Sequence, residues 1–147
     1  MLLNGMKQED KDLLLKDLCA RLPYNPLVEY KGESYNALGI AHGRLVLCKP
    51  FMSYTLNEHP LVEEVKPYLF PLSSMTEEQK IECFKGTPLE IDKYGDIAVK
   101  DDFYGGSQYT DLEIYLEVID WINKNHFDYR GLIEKGLAID CTNLNIY

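Results

Sequence analysis

The segment from residue 27 to residue 48 constrains the fold of this chain most strongly. It holds three short runs of residues that favour strands, and glycine-containing turn signals separate them at residues 31–34 and 42–44. Short turns of this kind between strand-like runs are typical of antiparallel hairpins. We therefore predict a meander of three antiparallel strands, whose apolar face needs a helix or further strands to cover it.

An amphipathic pattern before the meander predicts the nearest covering helix. The pattern spans residues 7–22 and stops at Pro23, whose ring cannot continue a helix. The apolar stripe consists of Leu14, Leu15, Leu18, Cys19 and Leu22. The charged residues are expected to lie largely on the solvent side of the helix. They are Lys11, Asp12, Lys16 and Asp17.

A capping signal predicts a second helix. Two pairs have the spacing of a capping box, Ser74 with Glu77 and Thr76 with Gln79. In either case a hydroxyl and an acid or amide satisfy the free amides of the first turn reciprocally. Gly86 is expected to end this helix.

The clearest helical pattern covers residues 111–125, with Thr110 as its predicted cap. The predicted apolar face consists of Leu112, Tyr115, Leu116, Ile119 and Ile122. A stripe of acidic residues at helical spacing consists of Glu113, Glu117 and Asp120. A solvated helix face is the favoured explanation of this stripe, and an interaction surface is the functional one.

These patterns together predict an α+β fold. We expect a small antiparallel sheet of three to five strands flanked by about three helices, in a single domain over residues 1–147. Residues 1–6 are expected to be a disordered extension. Residues 49–75 contain four prolines and are expected to be irregular, whereas residues 89–91 and 97–99 resemble strands.

The charge balance excludes two classes of partner. The chain has 15 Lys+Arg against 24 Asp+Glu, which gives a formal net charge of −9. Nucleic-acid backbones and anionic membranes attract clustered cations instead. No segment approaches the ~20 apolar residues of a membrane span, and the first residues lack the apolar core of a signal peptide. We therefore expect a cytoplasmic protein that binds neither nucleic acid directly nor a membrane.

Catalytic signatures are weak in this sequence. No spacing of cysteine or histidine predicts a metal site, and no glycine-rich loop predicts a phosphate-containing cofactor, so we expect neither. The four cysteines are expected to be reduced and buried. A Cys–His pair could still assemble from Cys48 or Cys141 with one of the three histidines. This pairing leaves an enzyme as an alternative hypothesis.

The segment that follows the only tryptophan has two interpretations. As a ligand site, His126 and Arg130 would hold an anion against Tyr129. As a junction between helices, Phe127 would enter the core, Asp128 would cap a short next helix, and Arg130 would pair locally. The junction is the favoured interpretation, because a tight connection between helices requires caps and core residues of this kind.

Three stretches carry a family resemblance. They are residues 11–24 (KDLLLKDLCARLPY), residues 62–78 (VEEVKPYL and PLSSMTEE) and residues 120–138 (DW, HFDYRGLI and GLA). In these motifs the chain resembles a group of small proteins of unknown function encoded by gut Bacteroidetes and by their phages and other mobile elements. Residues 84–109 depart most from that pattern. The resemblance implies a cytoplasmic, single-domain accessory protein of phage or prophage origin, and it implies no activity or cofactor.

These observations predict a non-enzymatic protein that binds another protein. The weak catalytic signatures, the eleven tyrosines and the acidic composition favour this function. A competing hypothesis is an acidic decoy that occupies the nucleic-acid-binding surface of a host protein. A small-ligand binder that uses His126, Tyr129 and Arg130 is a further hypothesis, and the Cys–His enzyme is the last.

Overall fold

The predicted meander forms the first part of the sheet. In the computed structural model, which describes residues 5–52, 54–100 and 112–147, strands β1 (Leu27–Tyr30), β2 (Glu33–Ala41) and β3 (Arg44–Cys48) pair antiparallel. Each turn between them has two residues of positive φ, 51° and 79° at residues 31–32 and 55° and 74° at residues 42–43. Two such residues make a type I′ turn, which matches the twist of the strands it connects.

The fourth strand makes the sheet mixed. Strand β4 (Lys66–Pro71) pairs antiparallel with β1 and parallel with β7 (Phe127–Asp128) and β8 (Ile139–Asp140). The sheet therefore has six strands, in the order β3-β2-β1-β4-β7 with β8 also on β4, rather than being purely antiparallel. The expectation of irregular backbone is wrong for β4. Its partners are supplied by segments far along the chain, which no local pattern reveals.

A separate hairpin and three helices complete the α+β fold. Strands β5 (Leu89–Ile91) and β6 (Ile97–Val99) pair antiparallel, as predicted. The helices are α1 (Gln8–Arg21), α2 (Glu77–Phe84) and α3 (Leu112–Lys124). Thr110, the predicted cap of α3, and Asp111, its predicted first residue, lie outside the described residues.

The capping box of α2 is the second of the two predicted pairs. The backbone N–H of Gln79 donates to Thr76 Oγ1 at 3.1 Å, and the N–H of Thr76 donates to Gln79 Oε1 at 2.9 Å. Ser74 instead donates its hydroxyl to the carbonyl of Pro71 at 2.7 Å. Thr76 is therefore the residue that caps the helix.

Helix α1 packs against the apolar face of the sheet. Leu14 and Leu18 are fully buried in a core with residues of β1, β2, β3 and β4. Two predictions for α1 are wrong: Asp17 is buried rather than solvent-facing, and Cys19 is exposed rather than part of the core. Met6 packs against this core, so the predicted disordered extension does not include Met6. Residues 1–4 of that extension lie outside the described residues.

A second core lies beneath α2 and α3. Its buried residues are Leu72, Met75, Cys83, Phe84, Leu89, Val118, Ile122 and Phe127. Phe127 enters this core from β7, as the junction interpretation predicts. The two cores meet along the segment that follows α3, which contains the predicted ligand residues.

Candidate functional site

Two charged side chains of α1 form a buried ion pair. Arg21 Nε donates to Asp17 Oδ2 at 2.8 Å, Arg21 Nη2 donates to Asp17 Oδ1 at 3.1 Å, and both residues are 0% exposed. Arg21 Nη2 also donates to the carbonyl of Phe127 at 2.7 Å. Phe127 belongs to β7 and lies 106 positions after Arg21 in the chain. The ion pair therefore connects α1 to the segment that follows α3.

Arg130 brings a second guanidinium to the same carboxylate. Its Nε lies 3.3 Å from Asp17 Oδ1, an ion contact without hydrogen-bond geometry, and its side chain is 20% exposed. The Tyr129 ring lies beneath both cations, with its centroid 4.7 Å from Arg130 Cζ and 5.9 Å from Arg21 Cζ. We call these four residues the Asp17 cluster. The prediction that Arg130 pairs locally is wrong, because its partner comes from α1.

Asp128 organises the loop that carries Arg130. Its Oδ1 accepts from the backbone N–H groups of Arg130 and Leu132, both at 3.1 Å, and its Oδ2 accepts from Ile133 at 2.9 Å. The predicted short helix is absent, because residues 132–136 form consecutive turns, so Asp128 binds the backbone of this loop instead of capping a helix. The carboxylate is therefore occupied by the backbone of its own loop.

His126 lies apart from the other two predicted ligand residues. Its ring stacks on the ring of Tyr147, with centroids 3.6 Å apart and planes inclined by 10°. Burial, and secondarily the positive charge of Arg21, lowers the pKa of His126 to about 4. The imidazole is therefore neutral near pH 7 and supplies no positive charge for an anionic ligand.

The cleft that Tyr129 lines does not include the other two predicted ligand residues. Tyr129 lines a cleft of about 260 Å³ beside the turn between β5 and β6, together with Tyr94, but neither His126 nor Arg130 lines it. Tyr129 and Arg130 contact each other, whereas His126 contacts Tyr147. The ligand site stays a prediction, and the contacts favour the junction interpretation.

We predict a pH dependence that depends on His126. Its pKa is lowered in the folded state, so below about pH 6.5 the unfolded chain takes up a proton that the folded chain accepts only near pH 4. Stability should therefore fall as the pH drops through this window. His126→Asn removes the titrating group and tolerates the positive φ of 65° at this position.

Urea unfolding of both proteins at about pH 7 and about pH 4 measures this contribution. The carboxylates are common to both proteins, so their contributions cancel in the comparison. We expect the wild type to lose more stability across the window than the variant. An equal loss in both proteins would show that His126 titrates normally.

Burial disfavours the thiolate form of two of the four cysteines. Burial raises the pKa of Cys83 to about 12 and that of Cys141 to about 11. Cys48 donates to the carbonyls of Lys49 and Met52. In residues 5–52, 54–100 and 112–147, no hydrogen bond joins a cysteine to a histidine, and no three candidate side chains cluster to hold a metal ion.

The first half of α3 exposes apolar residues that were expected in the core. Leu112 is 70% exposed and Leu116 is 54% exposed, whereas Val118, Ile122 and Asn123 are buried. Leu112 and Asn123 are eleven positions apart and therefore lie on the same side of the helix. The packing against α2 and β7 thus covers this side only toward the C-terminal end of α3.

The predicted acidic residues lie beside these leucines. Glu113, Glu117 and Asp120 are all exposed. Leu112 and Leu116 lie four positions apart, and so do Glu113 and Glu117, so an apolar row and an acidic row run side by side, with Asp120 one turn further along. We call the exposed residues at positions 112–120 of this helix the α3 surface; they are Leu112, Glu113, Tyr115, Leu116, Glu117 and Asp120.

Comparisons of the chain with protein-family models, with curated proteins and with solved structures give no match. Within the part of the chain that the structure describes, no helix combines the length and the apolar character needed to cross a bilayer.

Proposed function

We propose that the protein acts without catalysis, by binding another protein through the α3 surface. The observation that carries the proposal is the exposure of Leu112 and Leu116 on a helix whose second half is packed into the core. Adjacent apolar side chains exposed on one face of a soluble protein mark interaction sites. Leucines one helical turn apart are the anchor spacing of a helix that binds in a groove.

The charges beside the leucines indicate the chemistry of the partner. Glu117 and Asp120 are exposed and have no ion-pair partner in the described chain. A complementary surface would place Lys or Arg along one rim of an apolar groove. Binding should therefore weaken as the salt concentration rises, because salt screens exposed charges.

The acidic decoy is a less well supported alternative. Several carboxylates outside α3 are already paired with lysines. The pairs are Glu33–Lys49, Glu58–Lys31, Glu63–Lys11 and Glu77–Lys80. The acidic residues are therefore dispersed over several elements, of which the acidic row of α3 is one. They do not form a continuous track that imitates a phosphate backbone. The resemblance to proteins of mobile elements is the support for a host protein as the partner.

Site-specific photo-crosslinking tests the proposal in cells of the organism that encodes the chain. A photo-reactive phenylalanine analogue replaces Leu116, or Leu38 as the matched control, because Leu38 on β2 is 49% exposed on a different element. We expect a discrete adduct from position 116 and none from position 38. Leu112→Asp should abolish the adduct, and Glu117→Lys with Asp120→Lys should reduce it.

Three different outcomes of the same experiment would assign the surface differently. An adduct of twice the mass of the chain would identify a second copy as the occupant and overturn the proposal of a different protein. Equal adducts from both positions would show non-specific contact. A nucleic-acid-binding partner that duplex DNA displaces from the purified complex would favour the decoy.

A further inference from the structure

A second surface lies between α2 and the hairpin of β5 and β6. It is a groove of about 450 Å³ with an apolar floor. The floor consists of Ile81, Phe84, Leu89 and Ile91. The charged lining consists of Lys80, Lys85, Lys100, Glu77 and Glu90. The groove shares no residue with the α3 surface.

The groove meets β5 along the edge of the strand. Three consecutive residues, Leu89, Glu90 and Ile91, all line it. Successive side chains point to opposite faces of a strand, so a groove over one face would be lined by alternate residues. Contact with all three places the backbone edge of β5 in the wall of the groove.

The hydrogen bonds of the hairpin leave this edge open. The N–H of Lys100 donates to the carbonyl of Pro88 at 2.7 Å, and the N–H of Asp92 donates to the carbonyl of Asp96 at 2.8 Å. Hydrogen-bonded and non-hydrogen-bonded pairs alternate along an antiparallel hairpin. Between these two bonds, Glu90 is therefore the residue that exchanges backbone hydrogen bonds with its partner Ala98 in β6.

The residues on either side of Glu90 therefore direct their backbone groups away from β6. These groups are the N–H of Ile91 and the carbonyls of Leu89 and Ile91. The N–H of Leu89 is already satisfied by Thr87 Oγ1 at 3.1 Å. In the described chain the N–H of Ile91 has no hydrogen-bond partner. One donor and two acceptors thus face the groove.

The charge of the groove differs from that of the whole chain. Three lysines and two glutamates line it, in a protein whose formal net charge is −9. Lys80 pairs with Glu77 at 3.3 Å, whereas Lys85 and Lys100 have no carboxylate partner in residues 5–52, 54–100 and 112–147. Two cations that have no carboxylate partner among the described residues therefore lie beside an apolar floor and an open strand edge.

We infer that this groove binds an extended acidic peptide, which adds to β5 as a third strand. The peptide backbone would bond to the free groups of Leu89 and Ile91, its apolar side chains would rest on the groove floor, and its carboxylates would reach Lys85 and Lys100.

Fluorescence anisotropy with short labelled peptides tests the inference. The probe alternates Val and Glu, and the matched control alternates Val and Lys. We expect the Glu peptide to bind about tenfold more tightly than the Lys peptide, and Lys85→Glu with Lys100→Glu to reverse that preference. Leu116→Asp should leave binding unchanged, which separates this groove from the α3 surface.

N-methylated forms of the Glu peptide test strand addition itself. Alternate N–H groups of an extended peptide point to opposite edges, so methylation of one set should abolish binding and methylation of the other set should retain it. Equal binding of both methylated forms would show that charge alone holds the peptide. Failure of the unmethylated Glu peptide to bind would also overturn the inference. Thermal unfolding confirms that the lysine variants are folded.

Discussion

Asp17→Ala is expected to lower the free energy of unfolding by about 3–5 kcal/mol, the loss that follows removal of one partner from a buried ion pair. The substitution leaves Arg21, which is fully buried, and Arg130 without their shared carboxylate. The variant also removes the contact that joins α1 to Arg130 in the loop after β7. Urea unfolding measures the loss.

Asp12→Ala is the matched control, because it makes the same change at an exposed position of the same helix. Substitutions at such surface positions stay within about 0.5 kcal/mol. Arg130→Ala should cost less than Asp17→Ala, because Arg130 is partly exposed and Asp17 keeps both hydrogen bonds from Arg21. Equal effects of Asp17→Ala and Asp12→Ala would contradict a structural role for the Asp17 cluster.

Leu18→Ala is expected to destabilise the protein by about 2–5 kcal/mol, through lost apolar burial and the cavity that remains. The side chain of Leu18 is fully buried where α1 packs on the sheet. Leu15→Ala removes the same atoms from a half-buried position of the same helix and should cost clearly less. Near-wild-type stability of Leu18→Ala would mean that α1 does not cover the meander.

The parts of the fold that depend on neighbouring residues are predictable from the sequence. The two glycine turns of the meander and the capping box at Thr76 each act within a few positions. Strand β4 is different, because its pairing with β7 and β8 depends on segments more than fifty residues away. The two prolines within it, Pro67 and Pro71, also remove the usual strand signal.

The Asp17 cluster contains a signal that hydrophobic patterning overlooks. Leu14, Asp17, Leu18 and Arg21 follow the i, i+3, i+4, i+7 spacing of a single helix face. Burial of Leu14 and Leu18 therefore implies that the charged pair is buried with them. The second cation could not be predicted, because Arg130 reaches Asp17 only through the sheet pairing of the preceding strand.

The exposure of Leu116 depends on what packs against α3, and the sequence shows only that the helix is amphipathic. The predicted acidic stripe is on the surface, whereas part of the predicted apolar face is there as well. An apolar helix face predicts that its side chains are buried, either against the rest of the chain or against a partner. In this chain that burial is left to a partner protein under the proposed function.

The affinity of the purified complex tests this account most directly, once crosslinking has identified the partner. Calorimetric titration compares the wild type with Leu116→Asp and with Leu38→Asp, which places the same charge on a surface of matched exposure. We predict that Leu116→Asp weakens binding by about thirtyfold, or about 2 kcal/mol, the loss typical of a central interface residue. Leu38→Asp should leave the affinity unchanged. Equal affinities for all three proteins would contradict protein binding through the α3 surface.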